Sequence, residues 1–160
     1  MTNLNQLLQR LCDAEIDFVV VDGFAGVLHG STLVTRDLDV CAILTPASVG
    51  KLRTVLADLR PVHRMTPQRL SFLAVPEPGV EARNLYLETD AGAVDFLESI
   101  TGVGDFDRVR AASAEIELFG RRCRVMSLPD LIAAKLALGR DKDLLAAQEL
   151  QAIADRLASR

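Results

Sequence analysis

Apolar positions along the chain change their period from segment to segment, and those changes mark the elements. Leu4, Leu7, Leu8 and Leu11 recur at helical spacing in "NLNQLLQRLCDAEI", with Asn3 or Thr2 placed to cap the helix. "DFVVVDG" is a continuous β-branched run stopped by Gly23, which predicts a buried strand. "FAGVLHG", small-residue rich and lying between Gly23 and Gly30, predicts a short helix. "DLDVCAIL" predicts a second strand that ends before Pro46. "TPASVGKLRTVLADL" then predicts a helix with Thr45 as cap and Pro46 at its first position.

From Pro61 to Arg83 the periodicity weakens around Pro61, Pro67, Pro76 and Pro78, and "RLSFLAV" is the one strand-like run there. "NLYLETDAGAVDFLES" holds two alternating runs around Thr89-Asp90-Ala91-Gly92 and predicts a β-hairpin. "AEIELFGRRCRVMS" predicts a second hairpin turning at Gly120. "SLPDLIAAKLALG" predicts a helix capped by Ser127, with Leu128, Leu131, Ile132 and Leu136 on one face and Gly139 at its end. "DKDLLAAQELQAIADRLA" predicts a last amphipathic helix. Neither a repeat nor a linker interrupts this order, so the expectation is one α/β or α+β domain spanning 1–160.

Composition narrows the class. A chain that is 49% hydrophobic and 25% charged can offset its ordering entropy, which argues against disorder. A net charge of −4 argues against a polycation built to coat nucleic acid. Three cysteines, Cys12, Cys41 and Cys123, form no Cys-x-x-Cys pair and suit free thiols in a reducing cytoplasm. The first residues lack the pattern of a signal peptide, and no apolar run reaches the roughly 18 residues that span a bilayer. A cytoplasmic protein with no membrane partner is expected.

The chemistry sits in "HGSTLVTRDLDV". Side chains alternate along a strand, so Asp37 and Asp39 share one face while Leu38 and Val40 point to the other. Two adjacent carboxylates repel unless positive charge lies between them, and hard oxygen ligands at this spacing suit magnesium. Asp95 in "AGAVDFLES" is a third acid inside an apolar strand. Beside the first strand it would bring three carboxylates to one point, a cluster suited to phosphoryl or nucleotidyl transfer. An Asp-x-Asp pair alone more often marks a solvated strand edge. What strengthens the reading is "VVVDGFAGVLHG", where a glycine at a strand-to-helix turn lets backbone approach a phosphate.

Strand, Gly-x-Ala, short helix ending in His-Gly, then Thr-x-Asp-x-Asp resembles the nucleotidyltransferases of the DNA polymerase β superfamily. It is most similar to the branch that includes the abortive-infection type nucleotidyltransferase toxins. Gly23, Ala25, His29, Gly30, Thr35, Asp37, Asp39 and, later, Asp95 carry the match. "GRRCRVMSLPDLIAAKLALGRDKDLLAAQEL" extends it, so the resemblance covers about 130 residues, from Val19 to Leu150. It implies a minimal nucleotidyltransferase fold, a mixed β-sheet flanked by helices with C-terminal helices.

By the same resemblance Asp37, Asp39 and Asp95 would be catalytic and would bind Mg2+, and Asp95 could help activate the attacking hydroxyl. Gly23 and the following turn at Phe24 would contact a nucleoside triphosphate. Lys135 and Arg140 would neutralise phosphate charge, and Lys142 would share that task or pair with Asp141 or Asp143. The implied activity moves a nucleoside monophosphate from a triphosphate to a hydroxyl of RNA, protein or a small molecule, with the toxin of a toxin–antitoxin or phage-defence pair as one setting. The chain leaves little room for an acceptor domain, which suggests a protein partner or a homodimer.

Two positions depart from the branch. Its turn usually has two small residues, where this chain has Asp22 before Gly23, and an arginine is often found at the position of Leu33, with Arg36 nearby here. They motivate a second reading, a non-catalytic nucleotidyltransferase-fold protein acting as a nucleotide sensor or protein-interaction module.

Several other residues have plainer readings. His29, closing a short helix, suits a cap better than a ligand, and His63 has no evident partner. "GRRCR" fits a solvated hairpin tip better than a nucleic-acid contact, since none of the six Phe and one Tyr sits in a basic stretch. Lys135, between apolar positions, also reads as a snorkelling side chain.

Overall fold

The computed structural model describes residues 2–74 and 83–160. Helix α1 (Leu4–Asp13) buries Leu4, Leu7, Leu8 and Leu11 and is capped by Asn3, whose side chain accepts from Gln6 N at 3.0 Å. Strand β1 (Val19–Val21) runs directly into α2 (Asp22–Leu28), and β2 (Asp37–Cys41) follows after a loop. Helix α3 (Pro46–Leu56) starts at a capping box between Thr45 and Ser48 and ends in a 3-10 turn, Ala57–Leu59. Short β3 (Val62–His63) precedes the hairpin of β4 (Leu85–Thr89) and β5 (Gly92–Leu97). A small ribbon of β6 (Ser99–Ile100) and β7 (Gly104–Asp105) leads to α4 (Phe106–Ala111). The hairpin of β8 (Ala114–Leu118) and β9 (Arg121–Val125) is followed by α5 (Leu128–Leu138) and α6 (Asp141–Ala158).

Seven strands form one mixed sheet in the order β3-β4-β5-β2-β1-β9-β8. The β1–β9 and β2–β5 pairings are parallel and the rest antiparallel. Strand β1 lies near the middle, and its three valines are buried. An unbroken β-branched run is what a strand covered on both faces requires. Helix α1 packs against β2, β5 and β9 with α3 beside it. There Leu38, Val40, Val94 and Phe96 join Leu7, Leu8, Leu52 and Leu56 in the core.

The expected helices, hairpins and caps are present, with local differences. Helix α2 begins at Asp22, one residue before Gly23, and Asp22 itself is left-handed at φ 57°. Leu136, expected on the buried face of α5, is 56% exposed, whereas Leu128 and Leu131 are buried. In "RLSFLAV" only Ser71 bridges a strand, pairing with Val62, and Val75 lies outside the described residues, as do Pro76 and Pro78. Helix α4 and the β6–β7 ribbon went unread because they are too short to establish a period. No helix among the described residues is long and apolar enough to cross a membrane.

Opposite faces of β2 predict opposite consequences of mutation. Leu38 is fully buried, so Leu38→Ala should cost about 2–5 kcal/mol. Asp37→Asn, on the exposed face of the same strand, should leave the denaturant midpoint nearly unchanged. Urea titration of both variants measures the contrast, and equal losses would contradict the placement.

Candidate active site

Strand register assembles a line of residues across the sheet. Val21 opposes Asp39, Asp39 opposes Asp95, and Asp95 opposes Tyr86. Directly opposed side chains share a face, so Asp39 and Asp95 are immediate neighbours. Asp37 lies on the same face two residues earlier. Arg64 N donates to Tyr86 O at 3.1 Å, which carries the line onto the chain leaving β3. Its guanidinium pairs with Asp95, Nε reaching Oδ1 at 3.2 Å, and stands 5.5 Å from the Tyr86 ring centre. Asp22, immediately after Val21, is the fourth acid of the group.

Burial and mutual repulsion set the protonation of this cluster. The Asp39 carboxyl is pushed up to about 8, first by burial and then by the negative charge of Asp22 and Asp95, with Asp37 adding to it. Burial also raises the Asp95 carboxyl, although Arg64 opposes that effect. Two cations are already engaged: Arg64 holds Asp95, and Lys135 of α5 is ion-paired with Asp22. The Asp37 and Asp39 side chains have no ion pair among the described residues. Among those residues, no three acidic, imidazole or thiol groups stand close enough together to cage a metal ion.

A cavity of about 410 Å³ opens on this cluster. Gly23, Asp22, Asp37 and Asp39 form one side, and Lys135, Arg140 and Lys142 line it from α5 and α6. Arg36 lies at its edge and is exposed. The fold thus gathers six of the residues singled out from sequence: Gly23, Asp37, Asp39, Lys135, Arg140 and Lys142. It does not bring in Phe24, whose side chain is buried in the core. Asp95 stands behind Asp39, turned toward Arg64.

The basic side chains are held by acids of their own. Asp143 is buried and bonded by Arg140, Nη2 to Oδ1 at 3.2 Å, while Lys135 Nζ lies 3.7 Å from its Oδ1. Arg140, with help from Lys135, holds the Asp143 carboxyl below the usual carboxylate range. Lys135 is therefore held between Asp22 and Asp143 where it lines the cavity. Lys142 takes no part in these pairs.

Gly23 has a steric reason. A Cβ there would stand 2.8 Å from Thr35 Oγ1 and 3.1 Å from its Cβ. Thr35 Oγ1 in turn donates to Asp37 O at 3.2 Å, so a side chain at Gly23 would push the entry of β2 and the acids it carries. Beyond Gly30, Glu149 of α6 accepts from Thr32 Oγ1 at 2.5 Å and from the Ser31 hydroxyl, tying down the loop before β2.

Two site residues escaped sequence reasoning. Arg64 lies in the proline-rich stretch, where nothing in the pattern signals a role. Asp22 read as a liability, but its left-handed φ and its bond to Lys135 make it part of the cluster. His29 is structural: its Nε2 lies 2.8 Å from Met126 O, a contact in which the ring donates. In "GRRCR", Arg121 pairs with Asp13, and both Arg122 and Arg124 with Glu115. Burial pushes the Cys41 and Cys123 thiols up to about 11, so both stay protonated and inert near neutrality.

No protein-family model matches the chain, and no curated protein does. Solved structures do. A lincosamide antibiotic adenylyltransferase, LnuA, solved with lincomycin bound, superposes with a TM-score of 0.61 at 14% identity, over 95% of this chain and 98% of that one. A candidate nucleotidyltransferase from Thermotoga maritima gives 0.55 at 16% identity, over 100% and 97%. The antibiotic-resistance factor ANT(2'')-Ia in solution gives 0.53 at 13% identity, over 98% and 92%. This is the nucleotidyltransferase fold. In it, β1, α2 and β2 bring the Gly23 turn beside Asp37 and Asp39, while α5 and α6 supply the facing cations.

Two measurements probe this geometry. Asp39 keeps its proton in the folded protein at pH values where the unfolded chain, at 3.8, has lost it. Stability without added cations should therefore fall as pH rises from about 4 toward about 8. Asp39→Asn should flatten that decline in thermal melts; an unchanged slope would remove Asp39 as its source. Gly23→Ala should cost about 1–3 kcal/mol of stability through the clash with Thr35. Pairing it with Thr35→Ser, which removes the methyl group but not the hydroxyl, should leave most of that loss in place.

Proposed function

We propose that the protein transfers a nucleoside monophosphate from a magnesium-bound nucleoside triphosphate to a hydroxyl group of an acceptor: RNA, a protein side chain or a small molecule. One observation carries this reading. Asp37 and Asp39 line one cavity together with Lys135, Arg140 and Lys142. Acids and cations lining the same cavity suit a ligand that is itself a cation bound to a polyanion.

The donor set fits magnesium. That ion is usually held by one or two carboxylates with phosphate oxygens and water completing its shell, so no cage of three acids is needed. Asp37 and Asp39 would hold it, and the excess negative charge that raises Asp39 is what a divalent ion would offset. Bound there, the ion would add positive charge at the phosphates. Lys135, Arg140 and Lys142 would hold the triphosphate and meet the charge that develops on the leaving pyrophosphate. Gly23 keeps the turn close to the cavity. Arg64 fixes the orientation of Asp95 behind Asp39.

A second reading, a protein that binds nucleotide without transferring it, draws on the ion pairs that already occupy Asp95 and Asp22. Titration calorimetry with the α,β-methylene analogues of the four nucleoside triphosphates, with and without magnesium, tests both. Magnesium-dependent binding is expected, lost in the Asp37→Ala/Asp39→Ala variant. Lys135→Met should weaken it about tenfold or more, the worth of one charge-assisted hydrogen bond. Binding that survives the double substitution would refute the metal site. Binding by the natural chain with no transfer of label from α-labelled triphosphates to RNA, protein or cell extract would favour the second reading.

A further inference from the structure

A second cavity, of about 300 Å³, lies on the far side of the Asp22–Lys135 ion pair. Both residues line both cavities, so the pair stands where the two meet. The two chambers differ in chemistry. Four basic residues line the first, Arg36, Lys135, Arg140 and Lys142, whereas Lys135 is the one basic residue on the second. The walls of the second are mainly apolar: Leu97 from the sheet, Ile100 from β6, Met126, and Leu131, Ala134 and Leu138 from α5.

This second chamber is built by close packing. Gly102, at φ 84°, lies against α5, where a Cβ would stand 2.5 Å from Ala137 Cβ and 3.1 Å from Ala133 O. The 99–104 ribbon is thereby pressed onto the helix as one wall. At the polar end Asn84 accepts from Glu98 N at 2.9 Å and donates to the Tyr86 hydroxyl at 3.3 Å. Tyr86 stands in the same line across the sheet as Asp95 and Asp39. The polar end of an apolar chamber therefore borders the acid cluster.

We propose that this second cavity receives the acceptor, and that the acceptor is a compact, uncharged, mainly apolar molecule bearing a hydroxyl group. The inference rests on the nucleotidyl-transfer reading and names its substrate class. A nucleic-acid strand needs counter-charges along its backbone and aromatic platforms for its bases, and this chamber has one lysine and one tyrosine. In the transfer, the acceptor oxygen attacks the α-phosphorus and the bond from that phosphorus to the β-phosphate oxygen breaks. Pyrophosphate leaves with the bonding electrons, and the hydroxyl proton is released to water.

The test uses the whole chain with magnesium and the tightest-binding α,β-methylene triphosphate, and 2-phenylethanol as acceptor probe. Amide NMR shifts are expected at Tyr86, Leu97, Ile100, Leu131 and Ala134. Ala134→Phe should fill the chamber and weaken the probe by about tenfold or more while nucleotide affinity by calorimetry holds. Leu138→Glu, at the exposed rim, should weaken the probe without risk to the core. With nucleotide bound, absence of probe shifts at these residues, or shifts unaffected by both variants, would overturn the acceptor chamber alone. Displacement of the probe by hexauridylate, with shifts at the same residues, would overturn the small-molecule class. Failure of every triphosphate to bind would instead remove the transfer reading beneath it.

Discussion

Carboxylates placed side by side in the middle of a sheet must be balanced by positive charge, and the architecture around β2 follows from that need. Asp22, Asp37, Asp39 and Asp95 crowd one face of β1, β2 and β5. The flanking segments bring cations: Arg64 from the chain after β3, Lys135 from α5, Arg140 from the cap of α6 and Lys142 from its first turn. The balance is incomplete at Asp39, which retains a proton near neutrality.

The same charges organise space. Asp143, buried at the start of α6, holds Arg140 and helps hold Lys135, so the two C-terminal helices present their basic side chains at a fixed place. Lys135, gripped from both sides, becomes a wall. One of the two cavities it lines carries three further basic residues, and the other carries none.

Much of this was legible from residue order. Helical spacing of Leu4, Leu7, Leu8 and Leu11, the β-branched run at Val19–Val21, the Ser127 cap and Gly139 end are local signals, and local signals survive without tertiary context. Asp37 and Asp39 stood out because a charged pair at strand spacing conflicts with the apolar residues between and after it. Leu136 misled because α5 is apolar nearly all round, so period alone could not say which face would be covered. Phe24 misled in the opposite sense: the turn it belongs to reaches the cavity while its ring goes to the core. Arg64 had no signal at all, being placed by the short β3–β4 pairing rather than by any pattern of its own.

By itself the sequence determined the elements, their order, the shared face of Asp37 and Asp39 and the resemblance to nucleotidyltransferases, because period, caps and turn residues act within a few positions of one another. Only the tertiary structure decided that Asp95 falls directly opposite Asp39, that Asp22 is bound by Lys135, that Arg64 claims Asp95, and that two chambers meet at one ion pair. Those facts depend on strand register and helix docking between segments up to 113 residues apart. Register across a sheet is set by the fit of whole faces, which no single stretch of sequence contains.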